Sequence, residues 1–378
     1  MKKITISNNR RWKKWHHKSI SLLILIIFCS LCSYAQAPLR IALAGLNHDH
    51  VGGVLQQFRN GKVTIIGIAE SNTALVDRIK KRYQLPDSLF YPDLATLLKH
   101  QKPVAVMAFN AIVDHLAVVE ACAPLGIHVM VEKPLAMTVK QSERMASLAR
   151  QYKIKLLTNY ETTWYASNQL LYKKIIDSAA IGDIRKMVVH DGHEGPKEIG
   201  VSKEFFLWLT DPEKNGAGAL VDFGCYGANL MTWLMKGQPP IAVTAVTRHI
   251  KPDIYPRVDD DATILLEYPQ ATGIIEASWN WPFGIKDLEV FGKTGYLQAV
   301  NGTTIRLKEK ANQPYTIQQL PPATAPNQDY IAYLSALLRN EFTPGQDLTS
   351  LENNLIVVKI LEMARQSAKE GKRVEWRK

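Results

Sequence analysis

The sequence predicts an α/β protein of two domains: a doubly wound parallel sheet first, then an α+β domain built on a large, mostly antiparallel sheet. Three observations predict it. Between residues 38 and 158, short apolar runs alternate with helical runs at the spacing of parallel strands and their crossovers. From residue 159 the rhythm changes, and strand-like runs follow one another through short turns. With 378 residues, 46% apolar and 21% charged, the chain is globular and long enough for two cores.

Residues 1–37 stand outside this pattern. Seven basic residues and no acidic one lead into an apolar run at 20–31, and Ala35-Gln36-Ala37 closes the segment. These are the three parts of a secretory signal peptide, so the mature chain is expected in the periplasm or outside the cell. Its removal leaves 39 basic against 35 acidic residues, a net charge of +4 in place of +11. No basic stripe remains to bind nucleic acid. No later run is long and apolar enough for a stable membrane span. Cys122 and Cys225 are too few for a disulfide framework or a zinc site and read as buried thiols.

In the first domain, strands are expected at 39–44, 63–69, 104–109, 127–131 and 154–158. Helical runs end near residue 60 and cover 73–83, 93–99, 113–125 and 138–152, with Asp93 as an N-cap after Pro92. In the second domain, 159–378, a helix at 165–178 precedes strands at 184–191, 242–250, 261–268, 272–279, 288–291, 296–300 and 303–307. Helical runs at 327–340 and 350–370 close the chain and can pack back on the first domain.

Three stretches carry chemistry. The first is the apolar run 127–131, which ends in Glu132-Lys133-Pro134. Lys133 would stand at the carboxyl end of a parallel strand, beside the crevice where ligands of such sheets bind. By itself it reads either as a solvated lysine or as a buried, functional one.

The second is the turn after the first strand. A dinucleotide-binding Rossmann fold wants G-x-G-x-x-G there, so that backbone can approach a pyrophosphate at a helix N-terminus. Gly45, Asn47 and His50 occupy the three positions, with Leu46 between the first two. Asn47 can adopt the left-handed conformation of a glycine. His50 departs from the pattern and puts close helix–strand packing in question. Glu70 ends the second strand, where its carboxylate would bond a ribose 2′-hydroxyl and repel a 2′-phosphate, favouring NAD over NADP. His48-Asp49-His50 has metal-ligand chemistry but no evident partner downstream, so no metal is expected.

The third is 215–229, small residues leading into a helix on which Asp222, Tyr226 and Asn229 share a face at spacings of four and three. A carboxylate, a phenol and an amide together suit a polyhydroxylated ligand; the alternative is a core tyrosine. A further run, His190-Asp191-Gly192-His193-Glu194, ends the second domain's first strand. There His193 and Glu194 can contact substrate or transfer protons, or form a polar turn. Trp164, Trp208, Trp279 and Trp281 can stack on a sugar or pack in the core.

Together these stretches resemble the Gfo/Idh/MocA family. The resemblance runs from the Gly45 turn, through Asn110 to His115 and Glu132-Lys133-Pro134, through Gly216 to Asn229, to Gly292-Lys293-Thr294-Gly295. It implies that Lys133 contacts substrate and nicotinamide, and that the bond before Pro134 is cis. It implies that Asp222 binds substrate, and that Tyr226 stands where many members carry a catalytic histidine. Asn110, His115 and Glu132 join Gly45, Leu46, Asn47, His50, Glu70 and Lys133 as the cofactor-binding set. Asn110-Ala111-Ile112 departs from the usual T-P-N, Asn229 replaces a common aspartate, and Glu161 to Trp164 lacks a usual arginine, which points to an uncommon substrate.

Oxidising a secondary alcohol needs a base and a hydride acceptor. A free tyrosine titrates near 10. A nearby Lys133 ammonium would lower Tyr226 by about one to three units toward the working range; otherwise Tyr226 can bond the substrate. The expected function is an exported, NAD-dependent oxidoreductase acting on a sugar or glycoside, assembled as a homo-oligomer through the second-domain sheet. Free NAD is a cytoplasmic pool, so an NAD-dependent, redox-neutral glycoside hydrolase is the alternative. A non-catalytic sugar-binding module is the third reading, and Lys133, Asp222 and Tyr226 speak against it.

Overall fold

The first sheet follows directly from the apolar runs, whose residues point to both faces and are buried on both. In the computed structural model its strands are β1 (Leu39–Ala44), β2 (Val63–Ala69), β3 (Phe90–Tyr91), β4 (Ala105–Ala108), β5 (His128–Glu132) and β6 (Leu156–Asn159). They run parallel in the order β3-β2-β1-β4-β5-β6. The order reverses between β1 and β4, which opens a crevice at their carboxyl ends. The structure describes residue 1 and residues 37–377, apart from Pro344 and Gln346, and the expected signal peptide falls outside them.

Each face of the sheet has its own apolar layer. One joins Ile41, Leu43, Met107 and Met130 to the helices Val51–Arg59 and Thr73–Tyr83, and to Ile331, Leu334 and Leu337 of the late helix Tyr330–Leu338. The other packs Val106, Val129 and Val131 against the helices His115–Cys122 and Val139–Gln151. Asp93 accepts from the Thr96 amide at 2.6 Å and starts the helix Leu94–His100, as an N-cap should.

The second sheet comprises β7 (Ile184–Gly192), β8 (Ala242–Arg248), β9 (Asp261–Glu267), β10 (Thr272–Ser278), β11 (Ile285–Gly292), β12 (Tyr296–Ala299), β13 (Thr304–Lys308), β14 (Thr316–Gln319) and β15 (Val374–Glu375). Their order is β14-β13-β12-β11-β7-β10-β9-β8-β15, and all neighbours are antiparallel except β7 and β10. The helices Gly224–Leu234 and Leu351–Glu370 cover one face, burying Met231 and Leu361 against Ile264, Leu266 and Ile275. The short strands β3, β14 and β15 carry too few residues for a period to show. The expected helix at 165–178 is Ala166–Tyr172 followed by a π turn at Lys173–Asp177. No helix among the described residues is long and apolar enough to cross a membrane.

Candidate active site

The nucleotide turn forms because Gly45 takes φ +83, which lets the chain turn tightly against the end of β4. A Cβ there would lie 2.7 Å from that of Asn110. Asn47 has no positive φ, so the expected left-handed asparagine is not used. A cleft of about 320 Å³ opens here, lined by Gly45, Asn47, Glu70, Asn110 and Asp114. Glu70 accepts from the amides of Leu46 at 2.9 Å and Asn72 at 2.8 Å, which ties the turn to the end of β2. Asn47 Oδ1 and Asn110 Oδ1 are buried without a partner. So is His115 Nε2, while His115 Nδ1 meets the Leu135 carbonyl at 3.2 Å and burial holds the ring down to about 4. Buried acceptors left open along a cleft await a donor-rich ligand, and the dinucleotide's ribose hydroxyls and amide fit them.

His50 and Glu132 do something the sequence did not reveal. His50 stands at the third glycine position and crosses to β5, where its Nδ1 lies 3.0 Å from Glu132 Oε2. Glu132 Oε1 accepts from Asn159 at 2.8 Å. The carboxylate is 2% exposed, and although burial alone would raise it, His50, His48 and Asn159 hold it at about 2. Glu132 is thus spent on protein partners rather than left open for a cofactor.

Lys133 follows at the end of β5, and the bond to Pro134 is cis. Its Nζ donates to Asp222 Oδ1 at 2.5 Å and to the Asp222 carbonyl at 3.0 Å. Asp222 Oδ2 accepts from the Trp279 indole at 3.0 Å. Burial works against both charges, but the pair outweighs it, raising the lysine and lowering the carboxyl. Asp222 reaches this position because Asp259 accepts from the amides of Gly218 and Leu220, at 2.9 and 2.7 Å, and starts the turn Ala219–Asp222. Gly218 is required there, since a Cβ would collide with the Asp259 carbonyl.

Tyr226 is 1% exposed, and its hydroxyl makes no hydrogen bond among the described residues. Lys133 Nζ lies 5.1 Å from its ring centroid and Lys286 Nζ 4.7 Å, both over the face. Tyr160 meets its edge. The expected lowering of the phenol by Lys133 does not occur. Burial, then Glu161 and Asp191, push it well above its ordinary value, because the lysine's charge is committed to Asp222. In this arrangement the raised phenol favours the second expected role of Tyr226, a hydroxyl that bonds the substrate.

His193 sits beside this group, edge-on to Phe223 at 4.9 Å. Its Nδ1 accepts from the Gly195 amide at 2.8 Å, and burial lowers its pKa, so the neutral ring carries its proton on Nε2. Glu194 is half-buried, with its carbonyl held by Lys251 Nζ at 2.5 Å. Sequence reasoning missed Asp191, Lys286 and Glu161. Asp191 and Lys286 are opposite one another in β7 and β11, and Lys286 pairs with Glu161. Asp191 is 1% exposed, its Oδ1 has no partner, and burial raises it well above the usual carboxyl range despite Lys286 and Lys133.

Two expected site residues belong elsewhere. The helical face proposed for Asp222, Tyr226 and Asn229 is broken at Phe223. Asn229 is wholly buried and donates to the Leu348 carbonyl at 2.9 Å, joining its helix to Leu351–Glu370. Trp164 bonds Asn159 Oδ1 at 3.0 Å and packs on Tyr333, in the layer beneath the first sheet.

A glycine-turn cleft at the switch point of a parallel sheet, with a lysine–aspartate pair beside it, defines a two-domain dinucleotide-binding oxidoreductase. The chain belongs to the Gfo/Idh/MocA family: residues 39–160 match the oxidoreductase family's NAD-binding Rossmann fold, and residues 170–298 match its C-terminal domain. It is 28% identical over 156 residues to the trans-1,2-dihydrobenzene-1,2-diol dehydrogenase of Xenopus tropicalis, covering 41% of this chain and 42% of that one. It is 22% identical over 229 residues to that of Macaca fuscata fuscata, covering 61% and 64%. The chain thus spans less than two thirds of these relatives. The aldose–aldose oxidoreductase from Caulobacter crescentus, solved with glycerol, superposes with a TM-score of 0.73 at 22% identity, over 90% of this chain and all of that one. An inositol dehydrogenase homologue from Azotobacter vinelandii, solved with NAD+, gives 0.77 at 18%, over 90% and 98%.

Proposed function

We propose that this oxidoreductase acts on a secondary hydroxyl of a sugar or glycoside outside the cytoplasm. The observation that carries it is the buried Lys133–Asp222 pair beside the unbonded Tyr226 hydroxyl, at the carboxyl end of β5. NAD, when bound, supplies the hydride acceptor. Gly45, Asn47, Glu70, Asn110 and His115 are the residues that would hold it. Lys133, Tyr226 and His193 present N–H and O–H donors that orient a substrate oxygen and stabilise charge on it. Lys133 Nζ gives its proton to the forming alkoxide in carbonyl reduction and, as the neutral amine, takes the hydroxyl proton in oxidation, and Asp222 keeps the lysine in place. The relatives named for aldose and diol substrates support this substrate class.

A second route has its own support. An exported enzyme meets no NAD pool, and Asp191 is a buried carboxyl whose hold on its proton is strengthened by burial, which suits a group that protonates a leaving glycosidic oxygen. In that route oxidation, elimination, addition of water and reduction occur in one site without net redox change. Purifying the chain without added cofactor, then measuring absorbance and mass, tests this route: retained NAD is expected, and an empty site overturns it. A panel of aryl glycosides, read separately for phenol and NADH, decides the rest. Phenol release without NADH supports the hydrolase, NADH in proportion to keto-sugar supports net oxidation, and neither product overturns the glycoside substrate. Export rests on the basic, apolar and Ala-Gln-Ala segments of residues 1–37. Sequencing the N-terminus of the protein from the cell envelope should give Pro38; an intact Met1 on cytoplasmic protein would overturn export.

A further inference from the structure

Glu132 is a buried carboxylate whose neighbour Lys133 is paired with Asp222. Besides Asn159, its own partners come from the nucleotide turn. Two histidines converge on the same oxygen, Oε2. His50 Nδ1 is 3.0 Å from it, and His48 Nε2 is 3.9 Å away, buried and without a hydrogen-bond partner. The three ligand atoms all lie within 4.8 Å of one another.

We propose that His48, His50 and Glu132 form a binding site for a divalent first-row transition metal of the zinc class. Two imidazoles and one carboxylate are a donor set that such ions favour over magnesium or calcium. Small closures suffice, since ligand atoms around an ion with bonds of about 2.1 Å stand roughly 3.4 Å apart. His50 is 41% exposed, which leaves a fourth position reachable from solvent. Ligation through His48 Nε2 moves the ring proton to Nδ1 and gives up the 3.2 Å bond from the His50 amide. That loss is about 1 kcal/mol, small beside the binding energy of a three-ligand ion. The bound ion would fasten the nucleotide turn to the end of β5, a link that sequence spacing hides because 82 residues separate His50 from Glu132.

Chelator-treated full-length protein is titrated with Co2+, and the visible d–d absorption is recorded, with Zn2+ as competitor. One equivalent per chain is expected, with a band displaced by Zn2+. His50→Ala and Glu132→Gln should each weaken this binding by roughly a hundredfold or more, in line with the sensitivity of metal sites to their ligands. His50 is exposed, so His50→Ala retains the fold, and circular dichroism checks both variants. Wild-type binding no tighter than that of His50→Ala overturns the proposal, and so does binding that persists equally in both variants. NAD affinity, measured on the same samples, is a separate quantity, so failure here leaves the cofactor reading standing.

Discussion

The site depends most on one pair of side chains. Lys133→Met would leave the Asp222 carboxylate buried beside apolar carbon, at a cost of about 3–5 kcal/mol. The double variant Lys133→Met/Asp222→Leu removes both charges and should recover most of that stability while recovering no activity. Urea unfolding and a turnover assay on the same samples separate the two effects, and a stable, active double variant would remove the pair from the chemistry. Tyr226→Phe deletes only a hydroxyl that makes no hydrogen bond among the described residues. Its unfolding curve should match wild type while turnover falls by roughly a hundredfold or more. Equal turnover would make Tyr226 a core residue.

Among elements, the helix Lys203–Leu209 is the one whose position was least evident, and it lies over the nucleotide turn. Trp208 donates to the Asn47 carbonyl at 3.0 Å, and the Ser202 amide donates to Asp49 at 2.8 Å. Glu204 takes both guanidinium nitrogens of Arg78, and Phe205 and Trp208 pack on the His48 ring. Trp208→Phe keeps the packing but loses one hydrogen bond worth about 1 kcal/mol. Calorimetric titration should show a fivefold to tenfold rise, roughly, in the Kd for NAD. An unchanged Kd would mean that the helix covers the turn without ordering it. Glu70 sets the other end of the same cleft, where the Leu46 amide fixes its carboxylate. Glu70→Ala should narrow the preference for NAD over NADP, read as the ratio of their Kd values.

Across the whole molecule, the second sheet shows one covered face and one open face. Val188, Leu265 and Ile274 lie half-buried on the open face, together with His190, whose Nδ1 is 2.7 Å from Asp287. We propose that this face pairs two chains. Ile274→Asp should then shift sedimentation toward a smaller species, and an unchanged profile would place the contact elsewhere. His190 gives the fold a pH dependence. Its hydrogen bond to Asp287 raises the folded pKa above the ordinary 6.5. The stabilisation is complete below the unfolded value and is lost as pH rises through the folded one. The difference in unfolding free energy between wild type and His190→Gln should therefore be larger at about pH 5 than at about pH 9.

The longer strands and helices could be read in order from the sequence, because a strand buried on both faces leaves an apolar run, one buried on one face a period of two, and a helix a period of 3.6. The sequence also determined the lysine at the end of β5 and the glycine at the first turn, since strand ends and tight turns are local properties. Only the tertiary structure decided which groups meet. Asp222 reached Lys133 across 89 residues, Asp191 came opposite Lys286 through strand register, and Glu132 came beneath two histidines. Asn229 lies outside the site because its amide is turned to the Leu348 carbonyl. The titration of Tyr226 was decided in the same way. A lysine's pull on a phenol is offset by burial and by carboxylates nearby, and that balance is settled by distances in space, which spacing along the chain does not encode.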